Sequence, residues 1–197
     1  MIRAEVLQSE ATRSVMNRVA RGWDLMPEFV VYSGGDEKLD IELLAIIDNA
    51  VPPEMMPAVM SQIVMKFREE YPELTLTAVG FTFEGYGVSQ PGEDAPESEK
   101  ERFDHDHATR RFSERDDRQE MAMTVICDHS TGLVASSQIT RGENDEKPVN
   151  HLLLADGDGD PFGGSIVDGV KHAAAIASIS AASLGKLKDL VSKAHLS

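Results

Sequence analysis

The sequence is poor in cysteine and has no long apolar run. Its single cysteine, Cys127, cannot form an internal disulfide, which excludes a small secreted scaffold held together by disulfides. Residues 1–23 lack the uninterrupted apolar stretch of a signal peptide. The least polar C-terminal run, residues 173–184, is shorter than the roughly 20 residues that a membrane span needs. We therefore expect a cytoplasmic protein, in the host cytoplasm if a phage encodes it, with no membrane partner.

Basic side chains are also scarce. The chain has 19 Lys and Arg against 34 Asp and Glu, for a net charge of −15. Binding to nucleic acid or to anionic lipid depends on basic patches, so we expect neither. This charge favours a cationic protein partner or a divalent metal ion. The chain has 197 residues, of which 41% are hydrophobic, enough for one core. The composition thus predicts a single α+β domain over residues 1–197.

Helical periodicity predicts three helices. The first spans residues 9–22, with Ser9 as its N-cap, and the second begins near residue 54 after two prolines. The third is a long Ala-rich helix over residues 165–193, whose small side chains would let another helix approach closely. We expect the first two to pack on a sheet, and the third to be buried or to mediate self-association.

Alternation of apolar and polar residues predicts about five to six strands in a mainly antiparallel sheet. They lie at residues 28–33, 38–47, 74–88, 120–127, 133–140 and 149–155. The segment 38–47 begins with alternation and ends as a continuous apolar run, so we expect its far end to be buried on both faces. A helix remains open for that segment, because Glu, Leu and Lys are good helix formers.

Residues 91–120 differ in composition from the rest of the chain. They contain 11 acidic and 6 basic side chains and few apolar ones. Such a segment cannot bury a core of its own. We therefore predict a charged insertion or loop between two strands, helical at most in part.

The loop at residues 155–165, ADGDGDPFGGS, is the strongest candidate for a metal site. Asp156, Asp158 and Asp160 alternate with glycines and match the opening ligands of an EF-hand loop. The match then fails, because Pro161 stands where that loop needs glycine and Val167 where it needs glutamate. An irregular Ca²⁺ or Mg²⁺ site with these three aspartates remains open, beside the alternative of an acidic turn before a helix.

Three other groups contain side-chain types that occur in metal sites or active sites. Residues 104–107, Asp-His-Asp-His, offer two imidazoles but no further metal ligands nearby in sequence. Residues 127–129, Cys-Asp-His, have catalytic side-chain types, but neighbours on a strand point to opposite faces. Glu84 and Tyr86 lie near glycines and predict a small pocket without a second catalytic partner. None of these groups predicts a catalytic residue or another cofactor.

Two segments carry a resemblance to known proteins. FTFEGYGV, residues 81–88, and DDRQEMAMTVICDHSTGLVASSQITRG, residues 116–142, resemble segments of uncharacterised proteins from actinobacteria and their phages. The resemblance implies such an origin. It implies no activity, ligand or catalytic residue.

The leading functional hypothesis is a non-enzymatic acidic interaction protein. It would bind a protein partner through an acidic surface or through the last helix, or it would self-associate. The first alternative is a metal-dependent enzyme or metal-stabilised domain that uses the aspartates of residues 156–160. The second alternative is a structural subunit of a larger assembly.

Overall fold

The computed structural model describes residues 2–88, 91–92, 94–109, 114–142, 148–154 and 165–179. These residues form four α-helices and six strands, with a 3₁₀ turn at Pro53–Met55. The helices are α1 (Ala4–Arg21), α2 (Met56–Glu70), α3 (Glu97–Thr109) and α4 (Ser165–Ser178). The strands are β1 (Glu28–Gly34), β2 (Leu39–Ile46), β3 (Leu76–Gly87), β4 (Gln119–Asp128), β5 (Leu133–Thr140) and β6 (Val149–Leu154).

The six strands form one antiparallel sheet in the order β2-β1-β3-β4-β5-β6. Helix α1 packs on one face, while α2 and α4 pack side by side on the other. This arrangement is a single α+β domain and confirms the predicted fold class. Each predicted strand lies within two residues of an observed one, because alternation with period two directly reports a half-buried strand.

The larger core lies between the sheet and the pair α2 and α4. Val79 and Phe81 of β3 face it, as their alternation indicates, together with Met60 of α2. Ala173, Ala174 and Ala177 of α4 are buried in the same core, and a Cβ on Gly169 would lie 3.1 Å from Cα of Pro57. The small residues of α4 therefore allow a close approach to α2 within the chain. In the described part of α4, helix α2 thus covers the face of small residues for which the sequence predicted burial or self-association.

The first helix begins earlier than predicted. Helix α1 starts at Ala4 with Arg3 as its N-cap, so Ser9 lies inside the helix and its predicted capping role is wrong. Leu7 and Ala11, four residues apart on α1, are fully buried against the sheet. Their packing on the sheet extends the helix towards the N-terminus, and tertiary burial outweighs the local capping preference.

The far end of β2 is not buried on both faces, contrary to the prediction. Leu44 and Ile46 are 50% and 52% exposed. The reason is that β2 is an edge strand paired only with β1, and α1 lies mainly over β4 and β5. Leu44 and Ile46 thus lie on an uncovered part of the sheet, while Ile47 at the end of the run is buried in the larger core.

The charged insertion contains helix α3, followed by a buried arginine. Arg115 is 5% exposed and contacts Asp106 of α3 at 3.1 Å and Asp117 at 2.6 Å. The hydrogen bond from Arg115 lowers the pKa of Asp117 to about 2. This ion pair attaches the end of α3 to the segment that leads into β4.

The last helix is described only in part. The sequence predicts that it continues to residue 193, but the residues after 179 lie outside the described ones.

Candidate functional site

A groove of about 460 Å³ runs between α1 and the beginning of β2. We call it the α1–β2 groove. Its lining comes from two segments: Glu5, Val6, Ser9, Glu10 and Arg13 on the helix, and residues 37–41 on the strand side. On the strand side Leu39 is buried while Ile41 is half-exposed, so apolar surface lies at the bottom and along the rim.

The groove exists because one face of the sheet is only partly covered. Two helices lie side by side on the opposite face, but α1 alone covers this one. It lies mainly over β4 and β5. Its side chains also cover β1, whose residues on this face, Glu28, Val30 and Tyr32, are buried. The uncovered part of this face is therefore the edge strand β2.

A row of exposed apolar side chains continues the groove along β2. Ile41, Leu44 and Ile46 are each about half-exposed, at 50%, 50% and 52%. Ile41 lies opposite Tyr32 and Leu44 lies opposite Val30, and both partners belong to the core under α1. The three side chains thus stand on the α1 face of the sheet, beside the groove.

A β-bulge brings Ile41 and Leu44 to the same face. Strict alternation would place residues three apart on opposite faces. The register of β1 and β2 shifts between Val31 and Tyr32, whose partners are Leu43 and Ile41, so Glu42 is the extra residue. Sequence reasoning missed the exposed row because a bulge leaves no clear signal in the alternation.

The charges of the groove are mainly acidic. Arg13 pairs with Glu10 at 2.7 Å, and Lys38 pairs with Asp40. Both cations of the lining thus neutralise carboxylates of the same groove. Glu5 and Glu37 are exposed and supply the remaining negative charge of the lining. The groove as a whole is apolar at its rim and carries a net charge of about −2.

Tyr32 lies buried beside the groove, under α1. It is 1% exposed. Burial raises the pKa of its phenol well above the ordinary value, and the negative charge of Glu10 raises it further. The phenol is therefore neutral throughout the physiological range and acts as a packing residue rather than as an acid or base.

The predicted metal ligands Asp156, Asp158 and Asp160 lie outside the described residues. The Ca²⁺ or Mg²⁺ site therefore stays a prediction. The side chain of His107 lies outside them as well, so the pair of imidazoles at residues 104–107 is not placed.

A second, smaller pocket of about 240 Å³ contains Glu84 and Tyr86, the two residues that the sequence suggested for a pocket. The structure adds Asp24 and Glu120, which sequence reasoning missed because they come from distant segments. One carboxylate oxygen from each of the three acids lies within 4.8 Å of the others. Such a cluster is the usual starting point for a cation site.

Each carboxylate of this cluster is already paired with an arginine. Arg18 is fully buried and contacts Glu84 at 2.8 Å, while Arg141 contacts Glu120 at 2.6 Å and Asp24 at 3.9 Å. Asp24 adopts a positive φ of 64°, and its backbone N–H donates to Glu84 at 2.6 Å. Arg18 also donates to the carbonyls of residues 25 and 26. The cluster therefore acts structurally, by holding the loop between α1 and β1.

Cys127, Asp128 and His129 do not form a catalytic unit. Cys127 is 2% exposed, and burial, followed by the charge of Asp128, raises the pKa of its thiol to about 12. The Asp128 carboxylate accepts hydrogen bonds from Ser130 and Thr131, and the His129 ring contacts a backbone carbonyl of β3. Each side chain has a separate structural partner, and the thiol is unreactive.

The chain was compared with protein-family models, with curated proteins and with solved structures, and none of them matches it. Among the described helices, none combines the length and the apolar character needed to cross a bilayer.

Proposed function

We propose that this is a non-enzymatic interaction protein that binds a protein partner in the α1–β2 groove. The observation that carries the proposal is the row Ile41, Leu44 and Ile46, three half-exposed apolar side chains on one side of a concave surface. Contiguous exposed apolar surface rimmed by polar groups is typical of binding sites. The partner segment has an apolar face and basic residues, which complement Glu5 and Glu37.

The apolar row contributes part of the free energy of binding. Full burial of a Leu or Ile side chain contributes about 2 kcal/mol, so covering three half-exposed ones contributes roughly 3 kcal/mol. The exposed carboxylates at Glu5 and Glu37 add mainly to specificity and to the rate of association. The apolar row therefore supplies affinity, and the acidic groups select a cationic partner.

The proposal predicts that Leu44→Asp weakens partner binding at least tenfold while the protein stays folded. A carboxylate at this position would have to be desolvated on binding, whereas in the free protein it stays in contact with water, because Leu44 is half-exposed. The measurement is affinity purification from the native cells with quantitative mass spectrometry. Leu152→Asp is the matched control, since Leu152 is 42% exposed on the opposite edge strand, β6.

We expect at least one protein to be recovered with the wild type and with Leu152→Asp but to be depleted with Leu44→Asp. Equal recovery of every protein by all three forms would refute binding in the groove.

A further inference from the structure

We infer that the occupant of the α1–β2 groove is a cationic amphipathic helix lying beside α1, rather than a strand added to the edge of β2. This inference rests on the proposed function and specifies the conformation and chemistry of the partner segment. Two features of the described residues support it: the direction of the exposed side chains, and the charged and bulged edge of β2.

The exposed side chains point towards a ligand on the face of the sheet. Ile41, Leu44 and Ile46 stand on the same face as α1, where a helix would pack against them. From residue 41 to residue 46 the row is about 17 Å long, at 3.3 Å per residue. Helical rise of 1.5 Å per residue converts this length to about 11 residues, or three turns. A helix of ordinary length therefore covers the whole row.

The edge of β2 is unsuited to strand addition. Lys38 and Asp40 are exposed charged residues at its start, and the bulge at Glu42 interrupts its register. Charged side chains and bulges are the devices by which edge strands avoid pairing with another chain. An added strand would have to match an irregular edge, whereas a helix on the face does not use the backbone of that edge.

The occupant has a defined chemistry. Apolar residues at positions i, i+3 or i+4, and i+7 form the stripe that packs into a groove. Lys or Arg beside this stripe meets Glu5 and Glu37 at the end of the groove where β2 begins. Arg13 and Lys38 at the same end are already paired with Glu10 and Asp40, so they offer little attraction to acidic residues of a partner.

The test uses a phage-displayed library of random peptides of about 16 residues, long enough for about four helical turns. The library is selected on the full-length wild-type protein and counter-selected on the full-length Leu44→Asp variant. We expect at least tenfold enrichment of peptides with helical apolar spacing and with Lys or Arg beside the stripe. Their binding should induce helical circular dichroism and shift the NMR signals of β2.

Two results would overturn the inference without affecting the proposed function. One is enrichment of peptides with alternating apolar spacing, which indicates strand addition. The other is a concentration-dependent dimer, seen by sedimentation of the wild type and lost in Leu44→Asp, which makes a second copy the occupant. Failure to enrich any peptide that depends on Leu44 would also overturn it. Failure of the proposed function is recognised separately, in the affinity purification, as equal recovery of every cellular protein by the wild type, Leu44→Asp and Leu152→Asp.

Discussion

Replacement of Arg18 by methionine is expected to lower the free energy of unfolding by about 3–5 kcal/mol, the usual cost of removing one partner of a buried ion pair. Arg18 is fully buried and Glu84 is nearly so, with 12% of its side chain exposed. Methionine fills a similar volume but leaves the Glu84 charge without its guanidinium. It also leaves the carbonyls of Leu25 and Met26 without their donor. Urea denaturation of both proteins measures the loss.

The double variant Arg18→Met/Glu84→Gln identifies the cause. It should be less destabilised than Arg18→Met alone, because the uncompensated charge has gone while the acceptors of residues 25 and 26 are still unpaired. Lys38→Ala is the control for an exposed pair: Lys38 and Asp40 are 77% and 54% exposed, so its effect should stay within about 0.5 kcal/mol. A loss for Arg18→Met as small as that of Lys38→Ala would show that the cluster does not hold the loop between α1 and β1.

The Cys127 thiol is expected to react with a disulfide reagent at least about a thousandfold more slowly in the native protein than in the denatured one at pH 8. Burial raises its pKa from 9.0 to about 12, which lowers the thiolate fraction by about three powers of ten, and access is restricted further. The rate of release of thionitrobenzoate, with and without denaturant, measures the difference. Native and denatured rates within tenfold of each other would contradict the burial of this side chain.

The same raised pKa values have a consequence for stability at alkaline pH. The folded state favours the neutral forms of Cys127 and Tyr32, so their contribution is complete below the unfolded pKa values of 9.0 and 10.0. This contribution to stability is lost as the pH rises above the unfolded pKa values and through the higher pKa values of the folded state. The protein should therefore lose stability progressively above about pH 9.

The regular part of the fold was predictable because it depends on local pattern. Val79 and Phe81 alternate with the residues of the opposite face, and this alternation alone is enough to predict a strand. Helix α2 was placed within two residues because Pro57 is tolerated only in a first turn. The start of α1 was missed because it depends on burial of Leu7 and Ala11 by distant strands.

The candidate site was less predictable because it depends on what is absent from one face of the sheet. The alternation of β2 indicated a strand, but no local signal shows that α1 lies mainly over β4 and β5 and leaves β2 uncovered. The bulge at Glu42 then turns Ile41 and Leu44 to the same side, against the alternation. In the smaller pocket, Glu84 was singled out from its neighbours, but its partners Arg18 and Asp24 are about 60 residues away in the chain.

Site-specific photo-cross-linking tests the central claim, that the α1–β2 groove is the binding surface, most directly. A photoreactive phenylalanine analogue is placed at Leu44 in one form and at Leu152 in another, two apolar positions of similar exposure on opposite edges of the sheet. After irradiation in the native cells, we expect a discrete cross-linked protein from position 44 and none from position 152. The cross-linked peptide should carry an apolar stripe and basic residues. Absence of any product at position 44, or the same product from both positions, would show that the groove is not the binding surface.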